Sequence, residues 1–194
     1  MSKSGSRQGL SHQGPLSATD LKRLHRQWRR SNDQRIGILC DGVQNPYNLG
    51  AILRSAAAYR VERIWMAPPL VAPNHPKVAK TALGCERLVD VAEVESGVAG
   101  IEQARRSGLT PVALELTADA VPLSHIDLSG DVCIVVGHEE RGVHRDVLAV
   151  VDHIGFLPQR GKVGSLNVAH SLTAALYEIS RQGWDRTTGE PPPG

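Results

Sequence analysis

A chain of 194 residues with 41% hydrophobic content is long enough to bury one core, and it suits one domain with modest extensions at its ends. The three cysteines, Cys40, Cys85 and Cys133, form no CxxC pair and the eight histidines show no ligand spacing, so neither a disulfide framework nor a metal site is expected. The net charge of +2 hides an asymmetry: residues 1–60 hold ten Lys/Arg against three Asp/Glu, the remainder twelve against seventeen, which suits a polyanionic partner as well as it suits a solvated basic face.

Residues 1–16 are polar, aperiodic and rich in Ser and Gly, and are expected to be disordered. They lack the apolar core of a secretory signal, and no later apolar run approaches a membrane span, so a cytoplasmic protein is expected. Ser17 and Asp20 have capping-box spacing ahead of an amphipathic helix, assigned with its linker to 17–35. Leu21, Leu24 and Trp28 fall on one side of it, and Lys22, Arg26, Arg29 and Arg30 fall mainly on the other, a pattern fit for an RNA backbone or for a partner subunit. From residue 36 to 182 short Val/Ile/Leu runs alternate with helical patterns. The spacing predicts strands at 36–40, 61–66, 88–91, 111–116, 132–136 and 153–156, and helices at 49–59, 77–83, 94–106, 144–150 and 167–181. Strands apolar on both faces and separated by helices indicate an α/β fold with a covered parallel sheet. The Pro-rich end, 183–194, is expected to be a disordered tail.

In such a sheet ligands bind where strands deliver their C-terminal ends into loops, which singles out three segments. In the first, 41–55, a Pro-containing turn leads into a helix with Asn48 as a plausible N-cap. Arg54 follows six residues later, beside small residues that permit close approach, and its guanidinium suits a phosphate or carboxylate. In the second, 135–143, Gly137 and Gly142 flank Glu139, the carboxylate nearest the strand tip. His138 beside it reads best as a hydrogen-bonded structural residue. In the third, 156–170, a strand ends at Leu157 and a glycine-containing loop leads to a helix capped by Ser165 or Asn167, where free backbone N–H groups can meet a ligand. The order GxxxxGK[ST] is absent, which argues against a nucleoside triphosphatase. The first strand does not lead into GxGxxG, which argues against a dinucleotide oxidoreductase.

Together these segments resemble the SpoU/TrmH branch of the SPOUT RNA methyltransferases, over about 36–182. The resemblance implies a parallel-sheet SPOUT fold with a C-terminal deep trefoil knot, S-adenosylmethionine as cofactor, and methyl transfer to a ribose 2′-hydroxyl of tRNA or rRNA, with tRNA slightly favoured. A non-catalytic RNA-binding protein of the same fold is the alternative. By position, Arg54 resembles the family's catalytic arginine, grouped with Asn48, Glu139 and Asn167. Gly137, Leu157, Ser165 and Leu166 match positions that contact the adenosyl group. The resemblance also implies a homodimer with RNA held partly by the second subunit. The chain departs from the family pattern at Tyr47, His138 and Ala169. Because a guanidinium is a poor proton acceptor, Arg54 is expected to hold the phosphate and the 2′-oxygen, with Asn48 and Glu139 fixing its orientation.

Overall fold

The computed structural model describes residues 15–188; the disorder expected of residues 1–14 and 189–194 lies outside them. Helix α1 (Ala18–Ser31) starts as the capping-box spacing predicts, with the Ser17 hydroxyl oxygen accepting the Asp20 N–H at 3.2 Å. Strand β1 (Ile36–Asp41), helix α2 (Pro46–Ala58), β2 (Arg63–Ala67), α3 (Pro76–Ala82) and β3 (Asp90–Glu93) follow. Then come α4 (Gly97–Arg106), β4 (Thr110–Leu114), the two-residue β5 (Val121–Pro122), β6 (Val132–Gly137), α5 (Arg145–Leu148), β7 (His153–Phe156) and α6 (Val168–Thr188).

All strand pairings are parallel, in the order β3-β2-β1-β6-β4-β7-β5. The central strands are buried along their whole length, which is why they read as unbroken apolar runs rather than as alternations. Ile36, Ile38, Val132 and Ile134 pack with Leu49, Ile52, Leu172 and Leu176 of α2 and α6 on one face. Leu39, Trp65, Cys133 and Val135 pack with Ile101, Ala104 and Val147 of α4 and α5 on the other. Cys40 and Cys133 are buried in this sheet as free thiols; burial pushes the Cys40 thiol up to about 12 and raises that of Cys133, so both behave as small apolar groups.

Two expectations are corrected. The second helix begins at Pro46, and its cap is Asn45, whose side-chain oxygen accepts the Tyr47 N–H at 2.9 Å. Proline is preorganised for the first helical position, so the start moves ahead of Asn48 and leaves that amide free for other partners. The last helix continues to Thr188, so residues 183–188 of the expected tail are helical. Gln182 explains this: its side-chain oxygen accepts the Leu128 N–H at 2.8 Å, tying the end of the helix to the body of the domain. Beside it Gly183 lies so close to Asn32 and Gln34 that a Cβ would collide with them.

Candidate active site

The C-terminal ends of β1, β6, β4 and β7 lie side by side at one end of the sheet, and the loops they feed, with helix α2 after β1, hold every singled-out residue outside the α1 helix. A polar chain links all three segments there. The Asn167 Nδ2 donates to Asn48 Oδ1 at 2.9 Å, and Asn48 Nδ2 donates to Glu139 Oε1 at 2.9 Å. Glu139 also accepts the backbone N–H of Asn45 at 3.0 Å on Oε1 and of Gln44 at 3.4 Å on Oε2. Asn167 in turn caps α6, its Oδ1 accepting the Ala169 N–H at 3.0 Å and the His170 N–H at 3.4 Å.

Asn48 is the buried centre of this chain, 8% exposed. Burial pushes the Glu139 carboxyl up, but hydrogen bonds from the Asn48 amide and the backbone N–H groups of Asn45 and Gln44 outweigh it and hold the group below the usual carboxylate range. The nearby start of α2 favours negative charge in the same sense.

Beside this chain lies a cavity of about 300 Å³, the lower end of the range for ligand clefts. Gly137, Leu157, Ser165 and Leu166 all line it, with Glu139. Gly137 is obligatory: a Cβ there would collide with the backbone of Gly142 and Val143. The loop between them closes as a tight turn in which His138 N–H donates to Gly142 O at 3.0 Å and Gly142 N–H donates to His138 O at 2.9 Å. The His138 Nδ1 accepts the Glu140 N–H at 3.0 Å, in keeping with a structural role for this histidine.

Arg54 stands apart from the polar chain. It is exposed and makes no hydrogen bond or ion pair among the described residues, so the expectation that Asn48 and Glu139 fix its guanidinium is corrected for the isolated chain. Six residues along α2 carry it about 9 Å up the axis and about 240° around it from Asn48, whose amide is already engaged at both ends. Next to it the Ser55 and Thr173 hydroxyls meet at 2.7 Å where α2 and α6 run side by side. Lys22, Arg26, Arg29 and Arg30 are exposed on α1, a helix with no buried residue that packs against α6.

Two carboxylates at this end of the sheet, one of them the first residue of the 41–55 segment, were given no role by the motifs. The Asp41 Oδ2 accepts the His144 N–H at 2.8 Å; burial raises its pKa, against the lowering effect of that hydrogen bond and of His144. Glu115, just past β4, accepts the Val143 N–H at 2.9 Å and the Leu116 N–H at 3.0 Å and lines the cavity. Both sit at strand C-terminal ends, so the positional rule that singled out the three segments covers them too. Among the described residues no three His, Cys, Asp or Glu side chains are grouped to hold a metal, and no helix is long and apolar enough to cross a membrane.

Comparison with known proteins adds to this geometry. The profile of the SpoU rRNA Methylase family matches residues 35–177. An uncharacterized tRNA/rRNA methyltransferase of Synechocystis is 35% identical over 154 residues, covering 79% of this chain and 56% of the relative. A 23S rRNA (guanosine-2′-O-)-methyltransferase of Coxiella burnetii is 34% identical over 145 residues, covering 75% of this chain and 58% of the relative. This chain therefore spans little more than half the length of either. Among solved structures, the SpoU methyltransferase AviRb of Streptomyces viridochromogenes in complex with AdoMet superimposes with a TM-score of 0.69 at 26% identity, over 78% of this chain and 61% of that one.

Proposed function

This chain belongs to the SpoU rRNA Methylase family, and from that premise we propose that it transfers a methyl group from S-adenosylmethionine to a ribose 2′-hydroxyl of RNA. The observation that carries the reading is the hydrogen-bonded chain Asn167–Asn48–Glu139 set beside the cavity, which joins the three segments across 119 residues of sequence. The C. burnetii relative is named for 23S rRNA. That favours ribosomal over transfer RNA and reverses the order of preference expected from the sequence.

The cavity fits an adenosyl donor on its own terms. It is walled by Gly137, where no side chain can intrude, and by the approach to α6, whose first N–H groups lie beyond Leu166. It carries apolar surface from Leu157 and Leu166 for a flat ring and polar groups from Ser165 and Glu139. When bound, the donor supplies an electrophilic methyl on a sulfonium. The chain's residues do the rest. Asn48, Glu139 and Asn167 hold the loop ends in register so that the cavity mouth faces the incoming ribose. The Arg54 guanidinium, unengaged within the chain, clamps the RNA phosphate and the 2′-oxygen as negative charge develops there, while the hydroxyl proton leaves to the phosphate or to water. The basic face of α1, with Lys22, Arg26, Arg29 and Arg30, holds the RNA backbone nonspecifically.

The same reading includes a C-terminal trefoil knot around the cavity and a homodimer in which the partner helps to frame Arg54. It also includes a cytoplasmic location, where the RNA is. Radiolabelled S-adenosylmethionine given to the purified protein with ribosomal RNA and with transfer RNA tests it, with mapping of the labelled ribose. Label on a 2′-oxygen in rRNA is the expected result. Label on a base, or none in either RNA, overturns it.

A further inference from the structure

Resting on the donor reading above, we propose that Glu115 recognises the ribose of the bound donor, its carboxylate accepting hydrogen bonds from the two adjacent hydroxyls. The residue follows β4 and is one of those that line the cavity. Its two oxygens are each fixed by one backbone N–H, Oε1 by Leu116 at 3.0 Å and Oε2 by Val143 at 2.9 Å. A carboxylate oxygen has two acceptor positions, so each oxygen keeps one in reserve. A pair of neighbouring acceptors held at fixed separation is the complement of a vicinal diol, and a furanose presents one.

The place in the sheet agrees. The polar chain of Asn48 and Glu139 stands on the segments that follow β1 and β6. β4 lies on the other side of β6, with β7 beyond it. At about 4.8 Å per strand, Glu115 is displaced by roughly 10 Å from the β1 loop, so it would meet a part of the donor remote from the polar chain. The loop facing Glu115 is moulded to it. Gly142 has φ +69°, and any Cβ there would collide with the Glu115 carboxylate.

The test is calorimetric and needs no RNA. S-adenosylhomocysteine and its 2′,3′-dideoxy analogue are titrated into the wild-type chain and into Glu115→Gln and Glu115→Ala. In the wild type, removing the hydroxyls weakens binding about tenfold or more, the loss typical of hydrogen bonds to a charged acceptor. In both variants the intact ligand binds more weakly, but the dideoxy analogue suffers no further loss beyond about twofold. A purely bracing role predicts instead that the hydroxyl penalty persists unchanged in the variants, and that result overturns the assignment. If neither variant folds, the wild-type penalty alone decides, and a value under twofold overturns it. Tight wild-type binding of both ligands would sink this assignment and leave the donor reading standing. No wild-type binding of either would sink the donor reading itself, and this inference with it.

Discussion

The two sides of the candidate site are finished to different degrees. On the donor side Asn48, Glu139 and Asn167 satisfy one another and the surrounding backbone, and the turn at 137–143 is closed by its own hydrogen bonds. On the acceptor side Arg54 and the α1 cations Lys22, Arg26, Arg29 and Arg30 face solvent with no hydrogen bond or ion pair among the described residues. A preorganised wall binds a small ligand without rearranging, whereas unpaired guanidinium groups on an exposed surface are completed by an anion that comes from outside. The contrast supports the proposed function, in which the small molecule takes one side and the polyanion the other.

Substitutions on each side put that division at risk. Arg54→Ala is expected to lower the rate of methyl transfer at saturating donor by about 100- to 1,000-fold, as loss of one charge-stabilising donor does elsewhere, while calorimetric affinity for the donor stays within twofold. A matching loss of donor affinity would erase the boundary between the two sides. Replacing Lys22, Arg26, Arg29 and Arg30 together by Ala should weaken RNA binding about tenfold or more at low salt and flatten the salt dependence in filter-binding titrations, with the unfolding temperature unchanged because all four side chains are exposed. An unchanged salt slope would place the RNA elsewhere.

On the closed side, Asn48→Ala strands the Asn167 amide and removes one of the hydrogen bonds to Glu139. It should cost about 1–3 kcal/mol in denaturant unfolding and weaken donor binding. The smallest effect concerns pH. The folded Glu139 pKa lies below its ordinary value, so its ionised form adds stability above about pH 4.3, and that stability is lost as pH falls through the lower folded value. Because the side chain is only partly buried, solvent screening keeps the contribution under about 1 kcal/mol. Melting curves of Glu139→Gln and wild type should therefore differ near neutrality and converge in acid; a gap that widens in acid contradicts the arrangement.

Much of this was legible beforehand because doubly covered strands leave a strong trace. β1 and β6 are buried at every position, and their apolar runs marked them almost to the residue. The cavity-lining positions Gly137, Leu157, Ser165 and Leu166 came from resemblance, and the structure brings them to one cavity. Three things could not be read. The helix start shifted from Asn48 to Asn45 because two asparagines and a proline compete over four positions, and only tertiary partners decide which amide caps. The partners of Glu139 lie 91, 94 and 95 residues away, separations on which local patterning is silent. Helix α6 outran its predicted end because Gln182 and Gly183 find partners at residues 128 and 32–34, and contacts remote in sequence override a local stop signal.

That long helix has an engineering consequence. Asn167 pins one end of the rod at the cavity, and Gln182 pins it again fifteen residues on, roughly 22 Å away, against the turn at Leu128. A single inserted residue between the two pins would twist one relative to the other by about 100°. The helix could then keep its mooring at the cavity or the one at Leu128, never both, and a whole added turn would restore the angle but lengthen the rod by about 5.4 Å, so homologous chains should show no length variation between these two positions.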